Sequence, residues 1–332
     1  MLSLTNKNTN LYVNDAPISS GTSINQILLS QNLNNIHNNN FSLNTINNEI
    51  YVVINDLSGV ILPILKNGLN GPCYTIAFDN SGNLYAGGGF ISAGGSFSVS
   101  FIAKWNGLVW SSLGSGLNGT CNTIAFDNSG NLYAGGGFTT AGGITVNRIA
   151  KWNGLKWSLL GSGSGLNGTC YTIAFDNSGN LYAGGNFTNA GGIIANRIAK
   201  WNGLVWSSLG SGLNAICNTI AFDNSGNLYA GGNFTNAGGI SVNRIAMWNN
   251  TNWNISNTFP YFDNSCSTLQ FDNSGNLYVG GDFTIVNNYI ANRIFYLKNT
   301  VNIFVNEKLI TRVDTGDNKA ILICEQQGYS LN

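Results

Sequence analysis

One histidine occurs in 332 residues, His37, and it sits in an asparagine-rich run over residues 32–40. That scarcity excludes Ser-His-Asp and Cys-His catalysis and histidine-ligated zinc or copper sites. Charge is equally scarce: Lys, Arg, Asp and Glu make up 8% of the chain, and 14 bases balance 14 acids. A neutral chain has no electrostatic footprint for nucleic acid and no polybasic face for anionic lipid. Glu is found only at positions 49, 307 and 325. No Gly-Lys-Ser/Thr phosphate loop is present. No apolar run reaches the roughly 18 residues of a spanning helix, and residues 1–8 hold no apolar core of a secretory signal. The expectation is therefore no catalytic residue, no cofactor, no metal, no nucleic acid and no membrane insertion.

Glycine, by contrast, is abundant at 43 residues against 4 prolines. The glycines are periodic and interleaved with aromatic residues, so the chain is not a disordered low-complexity sequence. The string Phe-Asp-Asn-Ser-Gly-Asn-Leu-Tyr, one further residue, then Gly-Gly returns five times. Its Asp falls at Asp79, Asp127, Asp176, Asp223 and Asp272, a period of 47 to 49 residues. A period of that size marks an array of one supersecondary unit.

Residues 170–217 show how one unit reads. Cys170-Tyr-Thr-Ile-Ala-Phe-Asp176 is a short apolar run suited to a strand buried on both faces. Asn177-Ser-Gly-Asn180 is a tight hairpin, because Asx and Gly tolerate left-handed backbone. Residues 181–187 form the second strand, whose Gly pair removes side chains where another backbone comes close. A loop over 188–192 leads to a third strand over 196–201. Asn202-Gly203 is a strong hairpin signal, and residues 204–209 are the fourth strand. With a two-residue turn, Leu204 faces Trp201 and Trp206 faces Ala199, so both tryptophans share one face, diagonal to each other. All eight tryptophans fall in such pairs: Trp105/Trp110, Trp152/Trp157, Trp201/Trp206 and Trp248/Trp253. Packing between neighbouring sheets is the expected role, ahead of a sugar-stacking platform.

Four antiparallel strands repeated radially make a β-propeller blade. Five cysteines, Cys73, Cys121, Cys170, Cys217 and Cys266, each lie six residues before the repeated Asp. The sixth, Cys324, lies in a short apolar run near the C-terminus. Residues 41–46, 50–55 and 60–65 read as degenerate second, third and fourth strands of a further blade. The fold expected is thus all-β, a six-bladed propeller of four-stranded antiparallel blades. Five full repeats occupy about 72–310, within a propeller over 41–332. Residues 41–67 and about 318–328 build the sixth blade, so that N- and C-terminal segments pair and remove free sheet edges. Seven blades is the alternative. The cysteines read as small buried core residues, with a soft-metal ring and disulfides as the alternatives.

The strand ending in Gly-Gly, at Gly87-Gly88, Gly135-Gly136, Gly184-Gly185, Gly231-Gly232 and Gly280-Gly281, is followed in four repeats by a Trp 16 to 17 residues on. That pattern resembles the kelch and galactose-oxidase-like propeller superfamily. The resemblance implies the fold and little about activity, because that superfamily hosts unrelated functions. Galactose-oxidase copper chemistry does not transfer, since it needs histidines. The Asn-rich, lysine-poor style also looks like propeller proteins encoded by large DNA viruses of amoebae, which implies a virion or virus-surface component.

Arg148, Arg197, Arg244 and Arg293 occupy one position at the start of the third strand. A structural pairing with the repeated Asp is the first reading; an anion-facing ring, incomplete at Ser100-Phe101, is the sharper one. The repeated Asp reads as an Asx turn and not a calcium loop, which needs further acidic oxygens and a closing Glu. Thr139, Thr140, Thr188, Asn189, Thr235 and Asn236 follow the Gly-Gly strands and offer polar groups to sugar hydroxyls. Residues 1–40 read as an Asn-rich arm with a short helix over 23–33, either a tether to a partner or an appendage packed on its own propeller. The function expected is a non-enzymatic scaffold or binding module, with protein partners or self-assembly through residues 1–40. A lectin-like propeller binding glycan is the second reading, and an enzyme with an atypical site the third.

Overall fold

The computed structural model describes residues 68–298, except 96, 162–164 and 255–258. It also describes the backbone of strands Ser3–Lys7, Asn10–Val13, Ala16–Ile18, Phe41–Ile46, Glu49–Ile54, Thr300–Val305 and Lys308–Asp314. The chain divides into two compact units, Met1–Asn67 and Gly68–Asn332.

The first unit holds a five-stranded antiparallel sheet in the order Ala16–Ile18, Asn10–Val13, Ser3–Lys7, Glu49–Ile54, Phe41–Ile46. The strands expected as second and third of a sixth blade do pair, from Phe41 opposite Ile54 to Ile46 opposite Glu49. Their two-residue connection makes that pairing local and cheap in loop entropy. The other neighbour of Glu49–Ile54 is Ser3–Lys7 and not a fourth blade strand. Residues 60–65, the helix expected over 23–33 and residues 318–328 with Cys324 lie outside the described residues. The sixth blade and the ring closure it supplied are therefore not among the described sheets.

The second unit is an array of near-identical sheets. The first four each have four antiparallel strands in sequence order, the form of a propeller blade. In the third repeat these are Cys170–Phe175, Leu181–Gly185, Ile198–Trp201 and Trp206–Ser208. Among the described residues the fifth has three, Cys266–Phe271, Leu277–Gly281 and Ile294–Leu297. The chain then forms a separate hairpin, Thr300–Val305 with Lys308–Asp314.

Two local features differ from expectation. The tryptophans are directly opposite, Trp201 facing Trp206, with ring centroids 5.5 Å apart. The turn has four residues because Asn202 Oδ1 accepts from the Leu204 N–H at 3.0 Å and the Val205 N–H at 2.9 Å. This Asx capture lengthens the loop beyond the two-residue Asn-Gly form. The segment after the Gly-Gly strand is also more than a loop. It forms a small hairpin, Asn189–Ala190 with Ile193–Ile194. Gly191 and Gly192, at φ 58° and 92°, supply the left-handed turn.

The core lies between sheets. Each sheet has a leading face towards the preceding repeat and a trailing face towards the next. Tyr85 on the trailing face of the first repeat meets Phe126 of the second edge-on, with centroids 5.0 Å apart. The same pair recurs as Tyr133–Phe175, Tyr182–Phe222 and Tyr229–Phe271. Beside it, Thr75 Oγ1 accepts from the Ile124 N–H, and Thr123 and Thr219 do the same for Ile173 and Leu269, all at 3.2 Å. The Gly pair has two separate tasks. A Cβ on Gly135 would stand 2.6 Å from Sγ of Cys170 in the next repeat. A Cβ on Gly136 would stand 2.0 Å from the Thr120 carbonyl oxygen across the bulge in its own sheet. The first glycine admits the neighbour's thiol, and the second admits backbone.

Candidate binding surfaces

The repeated Asp is a turn-former. Asp127 Oδ1 accepts from the Ser129 N–H at 3.0 Å and the Asn131 N–H at 2.8 Å, and the Asn131 side chain donates to Oδ2 at 2.8 Å. Burial alone would raise its pKa. The bonds from Asn131 and Ser129, with the Lys151 charge, outweigh that and hold the carboxyl below its usual value. Lys151 Nζ lies 3.6 Å from Asp127 Oδ2 and 5.3 Å from the centroid of the Tyr133 ring. Lys104 and Lys200 repeat the arrangement on Asp79 and Asp176. Lysine on the third strand thus takes the place that the sequence reading gave to the repeated arginine. Met247 stands there in the fourth repeat, opposite Tyr229.

The arginines do other work. Arg148, Arg197, Arg244 and Arg293 sit at φ 66° to 75°, in the left-handed bend that turns the chain into the third strand. Phe101 fills the same bend in the first repeat at φ 70°. Their guanidinium groups donate to backbone carbonyls of their own repeat: Arg148 to Gly137, Arg197 to Phe187 at 3.3 Å and Arg244 to Asn233 at 2.6 Å. Arg293 pairs with Asp282 at 3.5 Å, with both side chains exposed.

The threonine loops are held internally. Asn118 Oδ1 accepts from the Thr139 and Thr140 N–H groups at 2.8 and 2.9 Å, and its Nδ2 donates to Thr139 Oγ1 at 2.8 Å. Asn167 does this to Thr188 and Asn189, and Asn214 to Thr235 and Asn236. The partner lies 21 residues upstream, which is why inspection of the loop alone missed it. Two of the expected residues do meet. Arg197 and Asn236 line a polar cleft of about 280 Å³ with Asn196, Ser211 and Asn214, between the third and fourth repeats.

Four of the cysteines are buried between repeats, and all five described are free thiols. Each thiol donates to the carbonyl two residues on, as Cys170 does to Thr172 at 3.6 Å. Burial pushes Cys170 and Cys266 up to about 12 and raises Cys121 and Cys217 as well. A free thiol so raised is protonated at neutral pH and a poor nucleophile. Among the described residues no group of His, Cys, Asp and Glu is placed to hold a metal ion. No helix of the described residues is long and apolar enough to cross a membrane.

Apolar side chains make the repeated exposed feature, which sequence reading did not single out. The Asx-capped turn between third and fourth strands carries Leu108, Leu155 and Leu204, all largely in solvent, with Val109 and Val205 beside two of them. The small hairpins add Phe97, Ile144, Ile194 and Ile290. The signal was the Gly-Leu-Val/Lys-Trp string, in which a leucine occupies a turn.

No family model matches the chain, and no curated protein matches it. Solved structures do. An extracellular domain from B. thetaiotaomicron, BT4673, is similar at a TM-score of 0.45 and 12% identity over 91% of this chain, which spans 39% of that chain's length. YCF48 bound to a peptide is similar at 0.40 and 13% identity, over 74% of this chain and 65% of that one. A catalytically inactive virginiamycin B lyase from Staphylococcus aureus, solved with quinupristin, is similar at 0.37 and 15% identity, over 79% of this chain and 86% of that one. The chain spans less than two thirds of the length of the first two.

Proposed function

We propose that the chain is a non-enzymatic binding module, a repeat scaffold that offers the same apolar contact to a protein partner at one corner of successive repeats. The observation that carries this reading is the leucine at the outer turn of the first three repeats, with Leu155 86% exposed, where the fourth repeat has Thr251. Exposed leucine in one position of consecutive repeats is an interaction signature, whereas scattered surface leucines need no explanation. Against catalysis stands the use of the charged groups. The repeated Asp carboxylates hold turns, three lysines sit on Asp and Tyr, and the buried thiols are protonated. The test replaces Leu108, Leu155 and Leu204 together with Asn and compares what co-purifies from the native source. Loss of the same partner from the triple variant, with an unchanged circular dichroism spectrum, supports the reading; full retention of that partner refutes it.

The more specific form, a structural or surface component of a virion, rests on the compositional resemblance alone. Purified particles lacking the chain would remove it. A glycan is the second ligand class, favoured by the cleft that brings Arg197 together with Asn196, Asn214 and Asn236. Side-chain amides and a guanidinium suit the hydroxyls of a sugar. A glycan array without hits removes that reading.

A further inference from the structure

We propose that the chain associates head to tail with a second copy of itself, the trailing face of the fifth repeat receiving the leading face of the first. This goes beyond the leucine corner and does not depend on it.

The internal interface, made four times in the array, shows what each end lacks. Ile124, Ile173 and Ile220 on leading faces are each 7% exposed, while their counterpart Ile76 is 60% exposed and Phe78 is 62% exposed. At the other end Tyr278 is 42% exposed, whereas Tyr182 is fully buried against Phe222. The halves match in kind: among the described residues Phe78 lacks a tyrosine edge, and Tyr278 lacks a phenylalanine. A second pair of observations agrees. Each first glycine of the Gly-Gly pair faces the next repeat's thiol, except Gly280, where among the described residues a Cβ would meet no sulfur and only Thr268 Cγ2 closely. Cys73 is the one described cysteine that is exposed. A groove of about 520 Å³, walled by Val286, Tyr289, Ile294 and Tyr296, also lies open in the fifth repeat.

The occupant follows from sequence. The segment Cys73-Tyr-Thr-Ile-Ala-Phe78 is identical to Cys170-Tyr-Thr-Ile-Ala-Phe175, which packs against a trailing face inside the array. Among the described residues both end faces are exposed, and neither covers the other. A leading face offered by a second copy supplies Phe78 to Tyr278 and the Cys73 thiol to Gly280. Such a contact is heterologous and propagates into a ring or a filament. The fifth repeat departs from the others at Gln270, where Ala77, Ala125, Ala174 and Ala221 stand; this residue must turn aside, and it limits affinity.

The test uses the full chain. Light scattering across a concentration series should show mass rising in multiples of the monomer. Phe78→Glu, at an exposed position that leaves the fold intact, should weaken association by about tenfold or more, and Gln270→Ala should strengthen it. Gly280→Cys should cross-link under oxidation into a ladder on a non-reducing gel, and Cys73→Ser should abolish the ladder. A monomeric mass at all concentrations overturns the proposal. So does a disulfide closed within one chain, or one that is lost on Cys324→Ser, which would put the chain's own C-terminal segment on that face.

Discussion

Adding one methyl group at Gly135 probes how the repeats are joined. Its backbone lies outside the left-handed region, so Gly135→Ala carries no conformational penalty. The new Cβ would stand 2.6 Å from Cys170 Sγ and 2.9 Å from Thr123 Cγ2, both well inside van der Waals contact. Overpacking of that kind costs about 1–3 kcal/mol, less about 0.4–1 kcal/mol regained by restricting the unfolded chain. Gly280→Ala, measured at concentrations where the chain is monomeric, is the internal control. Its Cβ would meet Thr268 Cγ2 at 2.8 Å but no thiol, because no repeat follows among the described residues. The contact within the sheet is thus shared, and the difference between the two variants isolates the contact between repeats. We expect Gly135→Ala to cost about 1–2 kcal/mol more than Gly280→Ala. Cys170→Ala removes the sulfur and should restore about 1 kcal/mol in a double-mutant cycle with Gly135→Ala. Urea unfolding followed by tryptophan fluorescence reads both quantities. Equal losses at the two glycines, with strict additivity in the cycle, would refute an interface built on a glycine receiving a thiol.

Three further outcomes are expected. In native alkylation followed by mass spectrometry, Cys73 should react first, with Cys121, Cys170, Cys217 and Cys266 protected until denaturation; rapid labelling of Cys170 would contradict its burial and its raised pKa. Trp157 donates its indole N–H to the Leu113 carbonyl at 2.8 Å, whereas the buried indole N–H of Trp206 has no partner among the described residues. Trp157→Phe should therefore cost about 1–3 kcal/mol for the orphaned carbonyl, and Trp206→Phe distinctly less, as measured by thermal unfolding. The Asp127 carboxyl is held below its usual value, so its contribution to stability is present above the unfolded pKa of about 3.9 and is lost as pH falls through the folded value. Acid titration of stability should show that decline, and Asp127→Asn should flatten it by about one proton; an unchanged slope would count against the turn as its source.

Much of one repeat was legible in the sequence because its determinants are local. The Asp-Asn-Ser-Gly-Asn turn closes on itself, the first and second strands follow it directly, and the Gly-Gly pair marks close approach wherever it falls. Partners set by register were not legible. Lys151 reaches Asp127 because the third strand places it opposite Tyr133, while the arginine three residues earlier is spent in a bend. The tryptophan pairing was misjudged by turn length, since the Asn side chain holds a four-residue loop where the Asn-Gly pair alone indicates two. The threonine loops read as open to ligand because the asparagine that holds them belongs to an earlier part of the chain. The strands expected at 41–46 and 50–55 do pair, as Phe41–Ile46 with Glu49–Ile54, yet the other neighbour of Glu49–Ile54 is Ser3–Lys7, a choice made by long-range assembly.

The sequence alone determined the repeating unit: its period, its strand order, the face each side chain takes and the small residues that let units stack. Those properties depend on neighbours along the chain, and they return whenever the string returns. Only the tertiary structure decided which copies have a neighbour in space. Ile76 and Ile124 occupy the same place in the same string, and one lies in solvent while the other is buried. Burial belongs to the pair of surfaces in contact, and no single repeat encodes whether its face is met.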